Sequence, residues 1–148
     1  MVAVSKRSEY ALRAVFELAY RGSQEPVKIQ RIAESQGIPS RFLEGIMSDL
    51  RHAGFVESRR GSEGGYVLVM DSGELCVADV LRAVQGQLSV GPESNDKIAN
   101  TYCAGDAAFS QYWQKVDNVM MNLFTEMTFA DLVKSEQVNT DAVLDFNI

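Results

Sequence analysis

One stretch constrains the fold more than any other: Ile38 to Met70, IPSRFLEGIMSDLRHAGFVESRRGSEGGYVLVM. Leu43, Ile46, Met47 and Leu50 recur at the 3.6-residue period and predict one buried stripe on a helix. Ser40 is the expected N-cap, because its hydroxyl can accept an orphan N–H of the first turn. Gly54 is placed to end the helix in a left-handed conformation. The opposite face carries Arg41, Glu44, Gly45, Ser48, Arg51 and His52. Two β-prone runs follow, Phe55–Ser58 and Tyr66–Val69, joined by the basic, glycine-rich Arg59-Arg60-Gly61-Ser62-Glu63-Gly64-Gly65. A polar-faced helix followed by an arginine-tipped hairpin is the layout of a winged helix-turn-helix. In that layout a helix enters a DNA major groove and a loop meets the backbone or minor groove.

Upstream, Val4 to Arg21 predicts a first helix capped by Ser5, with Ala11, Leu12, Val15, Phe16, Leu18 and Ala19 on its apolar face. Ser23–Pro26 is a turn and Val27–Ile29 a small strand against the later hairpin. Ile29–Gln36 is a short second helix with Ile32 and Ala33 inward, and Gly37–Ser40 is a tight connection into the third. Two helices joined by a short glycine-containing turn are what a helix-turn-helix needs. Downstream, Asp71–Glu74 is a turn and Leu75–Val84 a fourth helix ended by Gly86. Gly91, Pro92, Ser94, Asn95 and Gly105 break every period in residues 85–106. A long helix returns over about 107–127, where Trp113, Val116, Met120, Leu123 and Met127 step by three or four like a heptad seam. Thr128–Leu132 reads as a new helical turn, and the acidic residues from Glu136 onward as a loose tail.

The expected class is therefore mainly α, formally α+β: a winged helix-turn-helix DNA-binding domain over residues 1–86, a sensor-type loop over 87–106, a dimerisation helix and following turn over 107–135, and an acidic tail over 136–148. At 148 residues and 46% hydrophobic, the chain is long and apolar enough for one core. No run of 18 apolar residues predicts a membrane span, and the N-terminus has no signal-type apolar region. Two cysteines make no disulfide framework and fit a reducing cytoplasm. The net charge of −6 is unevenly spread: residues 1–70 carry ten Lys/Arg against eight Asp/Glu, residues 71–148 four against twelve. The DNA-facing half is thus locally basic. No Cys-His dyad, HExxH or phosphate-binding loop points to an enzyme.

The segments SKRSEYALRAVFELA (Ser5–Ala19), RIAESQGIPSRFLEGIMSDLRHAGFVESRRGSEGGYVL (Arg31–Leu68) and VADVLRAVQG (Val77–Gly86) resemble the bacterial IscR/NsrR/CymR family of transcription regulators. Trp113 with the helix after it, and Thr128–Leu132, are similar to that family's C-terminal end. The resemblance implies a cytoplasmic homodimer of winged-helix subunits on a double-stranded operator, with a small-molecule or protein effector and no membrane partner. It also implies, in many members, an iron–sulfur cluster held mainly by three cysteines between the fourth helix and the dimerisation helix. This chain departs there: between Gly86 and Trp113 only Cys103 is present, with Asp106 but no further thiol and no histidine. Clusters need thiolate-rich ligation, so none is expected and no metal ligands are assigned.

Candidate DNA contacts are Lys6, Arg7, Lys28, Ser40, Arg41, Glu44, Arg51, Arg59, Arg60, Gly64 and Gly65. Arg41 and Glu44, in the first turn of the third helix, suit guanine and cytosine edges, each good for about 1–3 kcal/mol of discrimination. The bland alternative is a solvated helix face. Arg59 and Arg60 suit phosphate or minor-groove contact, with the glycines allowing close approach; an ordinary hairpin would also use those glycines. Lys6, Arg7 and Lys28 are weaker backbone candidates, and His52 a phosphate neighbour or merely exposed. Trp113, Val116, Met120, Leu123 and Met127 are the candidate dimer seam. Cys103 is the possible sensor: a redox thiol, a ligand shared across a dimer, or an idle residue. Cys76 fits a small cap or core slot. The function expected is a homodimeric, sequence-specific transcription regulator, a repressor rather than an activator. The competing reading, a winged-helix protein-interaction module that has lost DNA binding, draws on the acidic second half; steep salt dependence separates the two.

Overall fold

The computed structural model describes residues 4–22, 25–92 and 103–147. Its elements run α1 (Lys6–Arg21), α2 (Ile29–Gln36), α3 (Ser40–His52), β1 (Val56–Arg59), β2 (Gly65–Leu68), α4 (Val77–Gln85), α5 (Asp106–Glu126) and α6 (Phe129–Phe146). The fold is mainly helical, a winged helix-turn-helix followed by two long helices. The expected loop over 87–106 falls largely on residues 93–102, outside the described residues.

Helix α1 is the hub, packing against α2, α3, α4, α6 and β2. Its Ala11, Ala14, Val15 and Leu18 are buried, and the two alanines let neighbouring elements approach the helix closely. Ser5 caps it, accepting from the Ser8 N–H at 3.1 Å. The expected stripe of α3 is buried as a unit: Leu43, Ile46, Met47 and Leu50 are all 0% exposed. Each contributes about 1.5–3 kcal/mol of burial. Strands β1 and β2 pair antiparallel, Val56 facing Leu68 and Arg59 facing Gly65. The small strand expected at Val27–Ile29 reduces to one bridge, Val27 with Tyr66, because Ile29 already begins α2.

Two local expectations need correction. Ser40 is not the N-cap of α3: Pro39 is, with φ −61° and ψ 126° and no side-chain cap bond. The Pro39 carbonyl already accepts the Phe42 N–H at 3.0 Å, so Ser40 lies inside the first turn. The tail is not loose: α6 continues to Phe146. Thr128 and Asp131 form a reciprocal capping box, and Phe129 is fully buried against the core. Once that costly first turn is fixed, each further residue adds a hydrogen bond cheaply, and neither Gly nor Pro interrupts.

Candidate nucleic-acid interface

With its apolar stripe sealed, α3 turns Arg41, Gly45, Ser48 and His52 outward, one or two per turn along its length. Glu44 and Arg51 flank that line and are exposed, as is Ser40. His52 is held at the far end, its Nδ1 at 2.7 Å from the Ser48 carbonyl oxygen, a distance that places the ring proton on Nδ1. Arg41 lies over the Phe42 ring, its guanidinium carbon 4.7 Å from the centroid. Phe42 in turn meets Tyr10 of α1 at 6.0 Å between centroids, and Lys6 sits 5.6 Å over Tyr10. Two cations and two aromatic rings thus form a ladder joining the start of α1 to the start of α3. Lys6 is also hydrogen-bonded to Glu9 at 2.9 Å, a contact that raises its pKa.

Arg7 lies elsewhere than its neighbour Lys6. It reaches from α1 across α3, and its Nη2 donates to Asp49 Oδ2 at 2.6 Å. A Cβ at Gly45 would stand 3.4 Å from that Nη2 and 3.5 Å from Nη1, in ordinary van der Waals contact, so the guanidinium lies against the helix where only a longer side chain at position 45 would compete with it. A glycine inside a helix costs about 1 kcal/mol against alanine, whereas an exposed ion pair returns about 0–1 kcal/mol.

The wing stands on its own chain. Arg59 ends β1, and Arg60 follows it; both are exposed. A Cβ at Gly64 would lie 2.3 Å from the Arg59 carbonyl oxygen, and one at Gly65 would lie 2.4 Å from that of Val27. These two glycines are therefore required by the hairpin itself and by its seat on Val27–Lys28. The same seat brings Lys28 to the base of the wing, where it lines an open cleft with Arg21 and Arg31. Arg41, Glu44 and Arg51 share α3; Lys6 and Arg7 join them from α1; Arg59, Arg60 and Lys28 belong to the wing. Sequence reasoning assigned no role to Phe42, Tyr10 or Asp49. Only Gly45, an outward glycine in mid-helix, signalled that another group comes close.

No residue of α5 is buried in the single chain. Of the heptad-like set, Trp113, Val116 and Met120 are half-buried, while Leu123 and Met127 are 63% and 43% exposed. Asp117 fastens the helix to the segment after α4: it accepts from Ser89 Oγ at 2.9 Å and from the Val90 N–H at 2.6 Å.

The two thiols, the donors an iron–sulfur cluster would draw on, sit at the starts of different helices. Cys76 is buried as the N-cap of α4, its thiol donating to Asp79 Oδ2 at 3.0 Å. Burial pushes this thiol above its ordinary pKa and the Asp79 carboxylate pushes it further, which disfavours the thiolate that a metal needs. Cys103 is exposed at the start of α5, and its N–H donates to Asp106 Oδ2 at 3.0 Å. Among the described residues no three His, Cys, Asp or Glu side chains converge on a metal position. Nor is any helix there long and apolar enough to cross a membrane.

Residues 4–135 match the model of the Rrf2 family, described as an iron-dependent transcriptional regulator. A Mycobacterium tuberculosis protein provisionally named as an HTH-type transcriptional regulator is 37% identical over 130 residues, 87% of this chain and 80% of its own. Among solved structures, CymR of B. subtilis, described as its global cysteine regulator, superposes with a TM-score of 0.78 at 27% identity, covering 91% of this chain and 98% of that one. IscR of T. potens superposes with a TM-score of 0.74 at 30% identity, covering 91% and 88%.

Proposed function

Since the chain belongs to the Rrf2 family of transcriptional regulators, we propose that it acts as a cytoplasmic homodimer on a palindromic operator, as a repressor, and without an iron–sulfur cluster of its own. The observation that carries this reading is the outward face of α3, where Arg41 and Glu44 stand exposed beside a wing tipped by Arg59 and Arg60. Arg41 suits guanine O6 and N7, Glu44 suits cytosine N4, and the wing arginines suit the backbone or minor groove. The apolar face of α5 supports the dimer: Val119, Leu123 and Met127 stay exposed in the single chain, and a second copy would cover them. A two-fold pair would present two copies of α3 to grooves about 34–36 Å apart, or a multiple of it. Occupancy of such a site represses by exclusion.

The signal is a small molecule, a partner protein or the Cys103 thiol. The sequence has two cysteines and one histidine, and one cysteine is committed to a helix cap, which supports the cluster-free reading. Footprinting on selected DNA tests the regulator reading: a symmetric protected site is expected, and at the same protein concentration Arg41→Ala and Arg60→Ala should lose it. Absence of any preferred site refutes it. Anaerobic purification tests the cluster-free reading, since visible absorption bands would overturn it.

A further inference from the structure

We infer that Arg7 is a base-reading arginine of the recognition face, delivered from α1 through the gap at Gly45 and aimed by Asp49; this rests on the DNA-binding reading above. Three observations converge. Gly45 occupies the middle of the outward line of α3, between Arg41 and the Ser48–His52 end. The Arg7 guanidinium lies against this bare stretch of helix, with Nη2 and Nη1 at 3.4 and 3.5 Å, ordinary contact distances, from where a Cβ would stand. The bond to Asp49 engages one of the five N–H groups, and the arginine side chain is still 42% exposed.

A purely structural strut accounts poorly for this arrangement. An ion pair whose partners are 42% and 37% exposed returns little stability, and the mid-helix glycine beside it costs about as much. The arrangement does something else well. A guanidinium is a planar fork, and a carboxylate holding one of its hydrogens fixes the plane and leaves parallel N–H groups pointing away. Such a pre-aligned fork matches the O6 and N7 acceptors of guanine in the major groove. A side chain native to position 45 would start from the helix surface. Arg7, coming from α1, supplies a long cationic group there with its conformational freedom already restrained.

The test is selection from randomised double-stranded DNA with the full chain, comparing wild type, Arg7→Lys, Arg7→Ala, Gly45→Gln, Asp49→Asn and Arg41→Ala, each first checked for an unchanged melting curve. Lysine keeps the charge and the pairing with Asp49 but loses the fork. Arg7→Lys is therefore expected to weaken the preference for guanine at one position of each half-site by roughly 5- to 150-fold, with the salt dependence unchanged. Gly45→Gln and Asp49→Asn should relax the same position, and Arg41→Ala a different one. A uniform loss across all sequences in Arg7→Ala, with a shallower salt slope and an unaltered profile in Arg7→Lys, would make Arg7 a phosphate contact and overturn the inference. Unchanged binding in both would leave it a strut, with the same result. If wild type selects no sequence, the regulator reading falls first. If wild type selects a site that depends on Arg41 but not on Arg7, this inference alone falls.

Discussion

Replacing Gly65 by alanine tests how the wing is held. The added Cβ would lie 2.4 Å from the Val27 oxygen, 2.5 Å from the Val27 carbonyl carbon and 2.8 Å from the Lys28 nitrogen. All three are backbone atoms, so no side-chain rotation relieves the clash; the wing and the strand-like segment before α2 must separate. Separation breaks the reciprocal pair in which the Val27 N–H donates to Tyr66 and the Tyr66 N–H donates to Val27, both at 2.8 Å. At about 1 kcal/mol for each bond this costs about 2 kcal/mol. Val27, only 8% exposed, would also lose part of its burial, adding about 1 kcal/mol. The expected total is about 3 kcal/mol, before any backbone strain at the Gly65 φ of 156°, against the 5–15 kcal/mol stability typical of a small domain, so the variant should fold. A urea titration should show a lower midpoint at unchanged slope, and amide exchange at Val27 and Tyr66 should accelerate selectively. Gly61→Ala is the control: its φ of 112° strains any side chain, but nothing stands within 4 Å, so its cost should be limited to roughly 1–2 kcal/mol of backbone strain. A Gly65→Ala loss below about 1 kcal/mol, or unchanged exchange at both amides, would refute the reasoning.

The other predictions concern the core and its charges. Phe129→Ala removes a fully buried ring and should cost about 3–5 kcal/mol by thermal or denaturant melting, with loss of helical signal from α6. Alkylation of the native protein should label Cys103 and spare Cys76 until denaturant is added, because the Cys76 thiol is buried, hydrogen-bonded and raised in pKa. Glu17 is 4% exposed; burial opposes its ionisation, but hydrogen bonds from Gln36 and Arg21 and the Arg21 charge lower its pKa. Its contribution is complete above the unfolded value and is lost as pH falls through the lowered folded value. Glu17→Gln should therefore flatten the fall in stability below about pH 5, measured by denaturation across that range.

Local periodicity made the centre of the molecule readable. The four buried residues of α3, the caps at Ser5 and Thr128 and the hairpin glycines all follow from spacing and residue type within a few positions. What escaped depends on partners distant in sequence. Gly65 needs no side chain because Val27, 38 residues earlier, passes beside it. Arg7 looked like one more basic residue of the N-terminal helix until Asp49, 42 positions on, fixed where it points. Asp117 carries no motif, yet it holds the segment at Ser89–Val90 to α5. The helix after Phe129 was hidden for a different reason: Val138, Val143, Leu144 and Phe146 are exposed in the single chain, so its far half lacks the one-sided stripe that betrays a packed helix. Its existence is decided by a cap and one buried ring at its start.

Those long-range ties also settle how the C-terminal arm meets the DNA-facing core. The N-termini of α4 and α6 each carry a capping box, Cys76 with Asp79 and Thr128 with Asp131. The two boxes are bridged by backbone: the Val77 N–H donates to Met127 at 2.9 Å, the Phe129 N–H to Leu75 at 3.0 Å and the Ala130 N–H to Ser72 at 2.9 Å. At the other end of α4, Gln85 Oε1 accepts from Ser8 Oγ at 2.8 Å, tying that helix to the capped start of α1. Ser8 lies between the residues that touch α3, since Arg7 and Tyr10 meet Asp49 and Phe42. The end of α5 therefore connects to α3 through a run of directional bonds across α6, α4 and α1, not through apolar contact alone. Apolar contacts tolerate sliding, whereas hydrogen bonds weaken steeply with misalignment. A displacement of the arm at Met127 must break or carry these bonds, and carrying them moves α4 against the helix that positions Arg7.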